Sequence, residues 1–301
     1  DGARRPPPCR LVAPDSLEEL ALEALLADEP ADAATVVGLG GGLALDVAKW
    51  LALRTARPVV LLPSVLSTIA PFTAEAERRV RRQLIRTEEL DAARVVVDVE
   101  LIRAAPPERT RAGAAELASI HTALWDWRFA DSRGHGVPFS PAVAAVGERA
   151  LAELADAAEE VAAVSADGVR TLAQLLAAVA GACARAGHRR LFEGAEHTFV
   201  QAYEHRLARP ASYGGLLALS TSAFAVVQQN DPDRVVELLK RCGAPGHPST
   251  LELTEDTFLG LLRHTVRFAV GESLPYSILN EADLNGPLGR EMWRAPWRLA
   301  R

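Results

Sequence analysis

Residues 193–215, EGAEHTFVQAYEHRLARPASYGG, carry two side chains that could bind a metal ion or move a proton. His197 heads a segment of helical character, and Tyr213 follows an Arg-Pro-Ala-Ser turn sixteen residues later. An imidazole titrates close to neutral pH, which makes His197 a candidate general acid or base as well as a candidate metal ligand. A phenol keeps its proton up to about pH 10, so Tyr213 is a poor ligand and a better hydrogen-bond donor. A second chemistry lies near the N-terminus. The stretch VVGLGGGLALDVAK (36–49) sets Gly38, Gly40, Gly41 and Gly42 between an apolar run and a helical segment. Amides at a helix N-terminus can hold an anion, and glycine lets a phosphate come close to them. Leu43 stands where GxGxxG needs its last glycine, and no GxxxxGK is present, so the loop alone points to a phosphate-bearing ligand without naming it. Asp46 and Lys49 follow on the same helix, three apart, and either pair with each other on its surface or serve that ligand.

Elements must position these groups, and the apolar periodicity divides the chain in two. DSLEELALEALLADEP (15–30) and LALDVAKWLALRT (43–55) carry apolar residues at helical spacing. ATVVGLGGG (34–42), PVVLLPS (58–64) and RVVVDVELI (94–102) read as buried strands, and CRLVAP (9–14) is a short apolar run. Strands alternating with helices predict a parallel sheet covered on both faces. ERRVRRQLIRTEELD (77–91) reads as a solvated helix face. Beyond RAAPPERTRAG (103–113) only helical spacing remains, over roughly 114–131, 140–163, 168–186, 193–207, 213–227, 231–242 and 251–269. The expected architecture is an α/β domain over residues 1–108, with a parallel sheet, and an all-helical domain over 109–301.

Composition narrows the function. Hydrophobic residues make up 49% of the 301, enough for a sizeable core, while aromatics are 5%, so alanine, leucine and valine must fill it. The formal charge of −6 and arginines interspersed with acids argue against a nucleic-acid partner. Cys9, Cys183 and Cys242 are odd in number and far apart, which excludes a disulfide framework and predicts a reducing, cytoplasmic setting. No apolar run approaches the roughly 18 to 20 residues of a membrane span. The chain opens on Asp1 and its one methionine is Met292, from which we expect a further segment upstream.

GLGGGLALDVAKWLA resembles the nucleotide loop GxGGGxxxDxAKxxA of the iron-containing alcohol dehydrogenase and dehydroquinate synthase superfamily. RPVVLLPSVLSTIAPFT (57–73) resembles its P-T-x-x-S-T segment, and residues 95–130, through Asp126-Trp127, resemble the stretch entering its helical domain. GAEH (194–197), PASYGG (210–215) and LPYSILNEADL (274–284) resemble GSEH, PALHGE and YTIL of the sn-glycerol-1-phosphate dehydrogenase branch. The resemblance implies a Rossmann-like nucleotide domain, whose first strand and helix in the family precede the segment that opens this sequence, and a helical domain, with the active site in the cleft between. It implies NAD or NADP, held by Gly40, Gly41 and Gly42 with Asp46, Ser64, Ser67 and Thr68. It implies one Zn²⁺ or Fe²⁺ whose ligand positions fall at Glu116, His197 and Tyr213. The expectation is therefore a degraded metal triad, with the third ligand lost at Tyr213. The family's substrate aspartate falls at Ile69 and another acidic position at Gly215. His121, Gln201, Glu204 and His205 are nearby candidates for a replacement ligand.

The leading reading is an NAD(P)-dependent oxidoreductase acting on a small polyol, phosphorylated polyol or carbonyl, with His197 and Tyr213 as reacting groups. A non-catalytic nucleotide-binding or assembly protein is the alternative, and a dehydroquinate synthase-like lyase or cyclase the third. The expected partner is a small molecule, with self-association into a homo-oligomer left open.

Overall fold

The computed structural model describes residues 9–30, 32–87, 90, 94–207 and 211–299. After helix α1 (Glu19–Ala27), strand β1 (Val36–Gly40) runs into helix α2 (Gly42–Thr55), then strand β2 (Val59–Pro63). β1 and β2 are parallel, Val36 opposite Val59 through Gly40 opposite Pro63. β5 (Arg94–Val95) joins the other edge of β2, also parallel, giving the order β1-β2-β5. Leu45, Ala48 and Ala52 of α2 pack on Val59 and Leu61, which covers one face of this sheet. Val37 and Leu39 on the opposite side are 60% and 57% exposed, so the cover expected on both faces is present on one among the described residues.

Two further expectations change. The run 94–102 is strand only at its first two residues. Asp98 Oδ1 accepts from the amides of Glu100 and Leu101, and that cap starts helix α3 (Val99–Arg103). The arginine-rich run from Glu77 is not a helix face but an antiparallel hairpin, β3 (Glu77–Val80) and β4 (Gln83–Arg86). Its two-residue turn is Arg81-Arg82, both at positive φ (51° and 67°), the geometry of a primed hairpin turn. Glu88, Glu89 and Asp91 of that run lie outside the described residues.

Among the described residues no strand follows Val95. The helices are α4 (Pro107–Ala118), α5 (Ile120–Ser132), α6 (Pro141–Asp156), α7 (Ala158–Ala162), α8 (Ala166–Ala186), α9 (Ala195–Leu207), α10 (Tyr213–Val227), α11 (Pro232–Arg241), α12 (Glu255–Gly271) and α13 (Pro287–Arg294). Their starts follow side-chain chemistry: Ser165, Ser212, Asp231 and Thr254 each accept from an amide of the helix they precede. α10 is buried on every side from Gly214 to Ala225 and forms the axis of the larger core, its Phe224 packed near Phe199, which also meets Phe258. A second core gathers α4, α5, α6 and α8 around Trp127 and Leu172. No helix among the described residues is long and apolar enough to cross a membrane.

Two close approaches set the geometry used below. A Cβ on Gly113 would stand 2.0 Å from the carbonyl oxygen of Leu66, so α4 lies directly against the loop after β2. A Cβ on Gly214 would stand 2.2 Å from Cβ of Ala112, so the start of α10 lies directly against α4. Both distances are far below contact, and only glycine permits them.

Candidate active site

A cleft of about 290 Å³ separates the sheet half from the helices. Its sheet-side wall is made by Gly42 and Asp46 of α2, by Ser67, Thr68 and Ile69 after β2, and by Glu77, Arg79, Leu84 and Arg86 of the hairpin. The helical wall is Glu116 of α4, Arg189, Phe192 and Glu193 before α9, His197, Val200, Gln201 and Glu204 of α9, and Tyr213. His197, Gln201 and Glu204 are spaced by four and three residues, which puts them on one helical face.

The structure brings Glu116, His197 and Tyr213 together from three helices. Glu116 is buried; it accepts from Tyr213 Oη at 3.1 Å and from the amide of Ile69 at 3.3 Å. These are the bonds that Gly214 and Gly113 make reachable. His197 Nδ1 bonds Glu196 Oε1 at 3.0 Å, while Nε2 lies 3.8 Å from Glu116 Oε2, too far for a hydrogen bond. Nε2 is thus buried and without a hydrogen-bond partner. Glu196 is fixed in turn by the amide of Gly194 at 2.6 Å and the hydroxyl of Thr122 at 2.8 Å. Burial alone would pull the His197 imidazole down, but Glu116 and Glu196 on either side outweigh it and push it up to about 10. Burial, and then the charge of Glu116, hold the Tyr213 phenol well above its usual value. The phenol therefore donates.

The start of α9 is anchored from behind. Asp126 Oδ2 accepts from the amide of Ala195 at 2.8 Å and Oδ1 from that of Ile278 at 2.9 Å. Burial, then the nearby charge of Glu196, raise this carboxyl to about 7. On the other wall, Lys49 is fully buried and meets Asp46 at 2.8 Å, the carbonyls of Ala70 (3.1 Å) and Glu75 (2.6 Å), and Thr73 Oγ1 (3.2 Å). The two residues pair, but inside the protein rather than on the helix surface.

Other expected positions divide. Gly42, Asp46, Ser67 and Thr68 line the cleft; Gly40, Gly41 and Ser64 do not, and the amide of Ser64 donates to the carbonyl of Gly40 at 2.9 Å. Thr68 Oγ1 accepts from the amide of Ala70, closing its own turn. Gln201 and Glu204 face the cleft, whereas His121 bonds the carbonyl of Asn230 and His205 stacks on His264. Gly215 packs against Leu251, where a longer side chain has no room. Sequence reasoning did not single out Glu196 or the ion pairs joining hairpin and helices: Arg79–Glu204 at 2.6 Å, Arg86–Glu193 at 2.5 Å, and Arg189 with Glu75 (3.0 Å), Glu77 (3.2 Å) and Glu193 (3.5 Å). Their signal was the charged run at 75–86, two glutamates followed by five arginines, which the helix expectation absorbed.

The divalent ion implied by the resemblance does not fit this donor set. Glu116 and His197 offer two ligand atoms, and the third position holds a phenol that donates to Glu116. Among the described residues no group of three His, Cys, Asp or Glu is placed to hold a metal, and zinc takes at least three such donors. A dinucleotide pyrophosphate does fit the sheet wall. Gly41 precedes α2 without a side-chain cap, leaving the first-turn amides free, and a Cβ on Gly42 would meet nothing closer than Thr68 Oγ1 at 3.6 Å.

No family model matches the chain. It is 29% identical over 234 residues to a glycerol-1-phosphate dehydrogenase [NAD(P)+] of Thermococcus kodakarensis, a match covering 77% of this chain and 66% of that protein. It is 28% identical over 269 residues to one of Hyperthermus butylicus, covering 88% and 73%. The chain thus spans about two thirds to three quarters of the length of these relatives. Among solved structures, glycerol dehydrogenase from Schizosaccharomyces pombe superposes with a TM-score of 0.72 at 16% identity, covering 95% of this chain and 75% of that one. An iron-containing alcohol dehydrogenase from Corynebacterium glutamicum superposes with a TM-score of 0.67 at 17% identity, covering 93% and 80%. The fold is the one these proteins share.

Proposed function

We propose that this chain, a homologue of the glycerol-1-phosphate dehydrogenases built on the iron-containing alcohol dehydrogenase fold, is an NAD(P)-dependent oxidoreductase of a small polyol and its carbonyl partner. The observation that carries the reading is the buried Nε2 of His197, left without a hydrogen bond and facing a cleft whose opposite wall begins at the open N-terminus of α2. A bound nicotinamide supplies or accepts the hydride. The amides at Gly42 and Leu43 would bind the pyrophosphate, with Ser67 and Thr68 beside it. A substrate oxygen seated between His197 and Tyr213 would accept from Nε2–H, and the imidazolium gives up that proton as the carbonyl becomes an alcohol. Glu196 holds Nδ1, so the ring presents Nε2 and no other atom to the substrate. Tyr213, freed from Glu116 by a competing acceptor, would donate a second hydrogen bond to the same oxygen and polarise it.

These donors would do what the family's metal does elsewhere, and no step requires an ion. The relatives carry oxidoreductase names, which lends no support to the non-catalytic and lyase alternatives. The test is carbonyl-dependent oxidation of NADH and NADPH by the purified chain, with nucleotide binding followed separately by fluorescence. His197→Gln should lower kcat by about 10²–10⁴-fold, the usual contribution of a positioned acid, while nucleotide affinity stays unchanged. Turnover unaffected by that substitution would end the reading.

A further inference from the structure

We propose that the cleft admits an uncharged polyol, or the ketone or aldehyde derived from it, and turns away the phosphate ester of the same carbon skeleton. The inference rests on the oxidoreductase reading and narrows its substrate. Arg79, Arg86 and Arg189 line the cleft, and a guanidinium taken alone suits a phosphate well. None of the three is available. Arg79 is held by Glu204, Arg86 by Glu193 and at 3.4 Å by Glu77, and Arg189 by Glu75, Glu77 and Glu193. Three guanidinium charges therefore face four carboxylates. Lys49 is neutralised by Asp46, and His197 stands between Glu116 and Glu196. Among the described residues of this cleft, no cation lacks a carboxylate, and the field is negative.

A phosphate entering here would have to trade an arginine–carboxylate bond for an arginine–phosphate bond, at little net gain. The displaced glutamate would be left unpaired beside the new negative charges. Rehydration would do little for Glu193, which is 20% exposed beside an Arg189 that is 12% exposed, whereas the Arg79–Glu204 pair is more open, at 26% and 36%. Burial tends to raise Glu75 and Glu77, but Arg189 beside the first and Arg86 and Arg189 beside the second hold both below the usual carboxylate range. These acids stay ionised. Carboxylates already bonded to arginine keep lone pairs free, and hydroxyls can donate to them without opening a pair. The network that repels a phosphate is the one that can receive a polyol.

The experiment compares kcat/KM of the full chain for dihydroxyacetone and for dihydroxyacetone phosphate, with NADH and with NADPH. A preference for dihydroxyacetone of at least about tenfold is expected from like-charge exclusion. Equal use or preference for the ester overturns this inference and leaves the oxidoreductase reading standing. No nicotinamide oxidation with either compound overturns that reading and this inference with it. Glu193→Gln frees part of Arg86 and Arg189 and should move the ratio toward the ester by at least about tenfold. An unmoved ratio counts against the proposal. Should that variant fail to fold, Glu204→Gln, which frees Arg79, is read in the same way.

Discussion

Two buried ion clusters face each other across the cleft, and they differ in how far their bonding is complete. On the sheet side, Lys49 donates to two carbonyls and a hydroxyl and pairs with Asp46 at 2.8 Å, so that Asp46 Oδ1, though it has no hydrogen bond, lies directly against a counter-charge. On the helical side, His197 uses one ring nitrogen on Glu196 and leaves the other without a hydrogen bond, although it is equally shielded from water. A closed cluster serves the fold. An open one, which costs free energy unless something fills it, marks the place where a substrate atom belongs.

Substitutions can break that contrast. Lys49→Met should cost about 3–5 kcal/mol of stability, because it strands Asp46 and three acceptors in the interior. Chemical denaturation measures this, and a loss below about 1 kcal/mol would mean that the sheet-side cluster is not structural. Tyr213→Phe should lower kcat by roughly 10–10²-fold and cost about 1–3 kcal/mol of stability, since it removes one donor from the open cluster and leaves buried Glu116 without it. Unchanged turnover would exclude the phenol from the chemistry.

Asp126 sharpens the comparison by pH. Its carboxyl is raised to about 7 from the ordinary 3.8, chiefly by burial and then by Glu196. Amides of Ala195 and Ile278 bond it, and Arg190 is the cation in its field. A raised acid stabilises the fold fully below pH 3.8, and that contribution is lost as pH climbs through about 7. Asp126→Asn should lose about 1–2 kcal/mol at low pH, since its amide group meets a backbone N–H that needs an acceptor. The gap to the parent should narrow as pH rises from about 4 to 7, by no more than about 1.4 kcal/mol per pH unit. A constant gap across that window would show that Asp126 does not titrate there.

Much of this molecule was legible from its residues. Apolar runs located β1, closed by glycines, and β2, closed by Pro63-Ser64, and the helical spacing after residue 113 located most of the later helices. The hairpin was hidden because its turn is Arg81-Arg82, two residues that seldom take positive φ, in place of the glycine or asparagine that announces such turns. β5 was overextended because Asp98, three residues past its end, was not read as a helix cap. At the site, His197 and Tyr213 were visible by type. Glu196 was not, since only the fold shows that the carboxylate next in sequence to His197 turns back to bond its ring. The pairing of every cleft arginine was equally invisible, because each of the three has a partner more than a hundred residues away.

Glycine at 113 and at 214 leaves a further consequence. No covalent link and no side-chain wedge spaces the phenol from the carboxylate; that gap is whatever distance two helix backbones and one loop happen to keep. The Tyr213–Glu116 bond is therefore a gauge of interhelical spacing. The ultraviolet absorbance of that phenol should register a swelling of the helical half under mild denaturant before the protein as a whole comes apart.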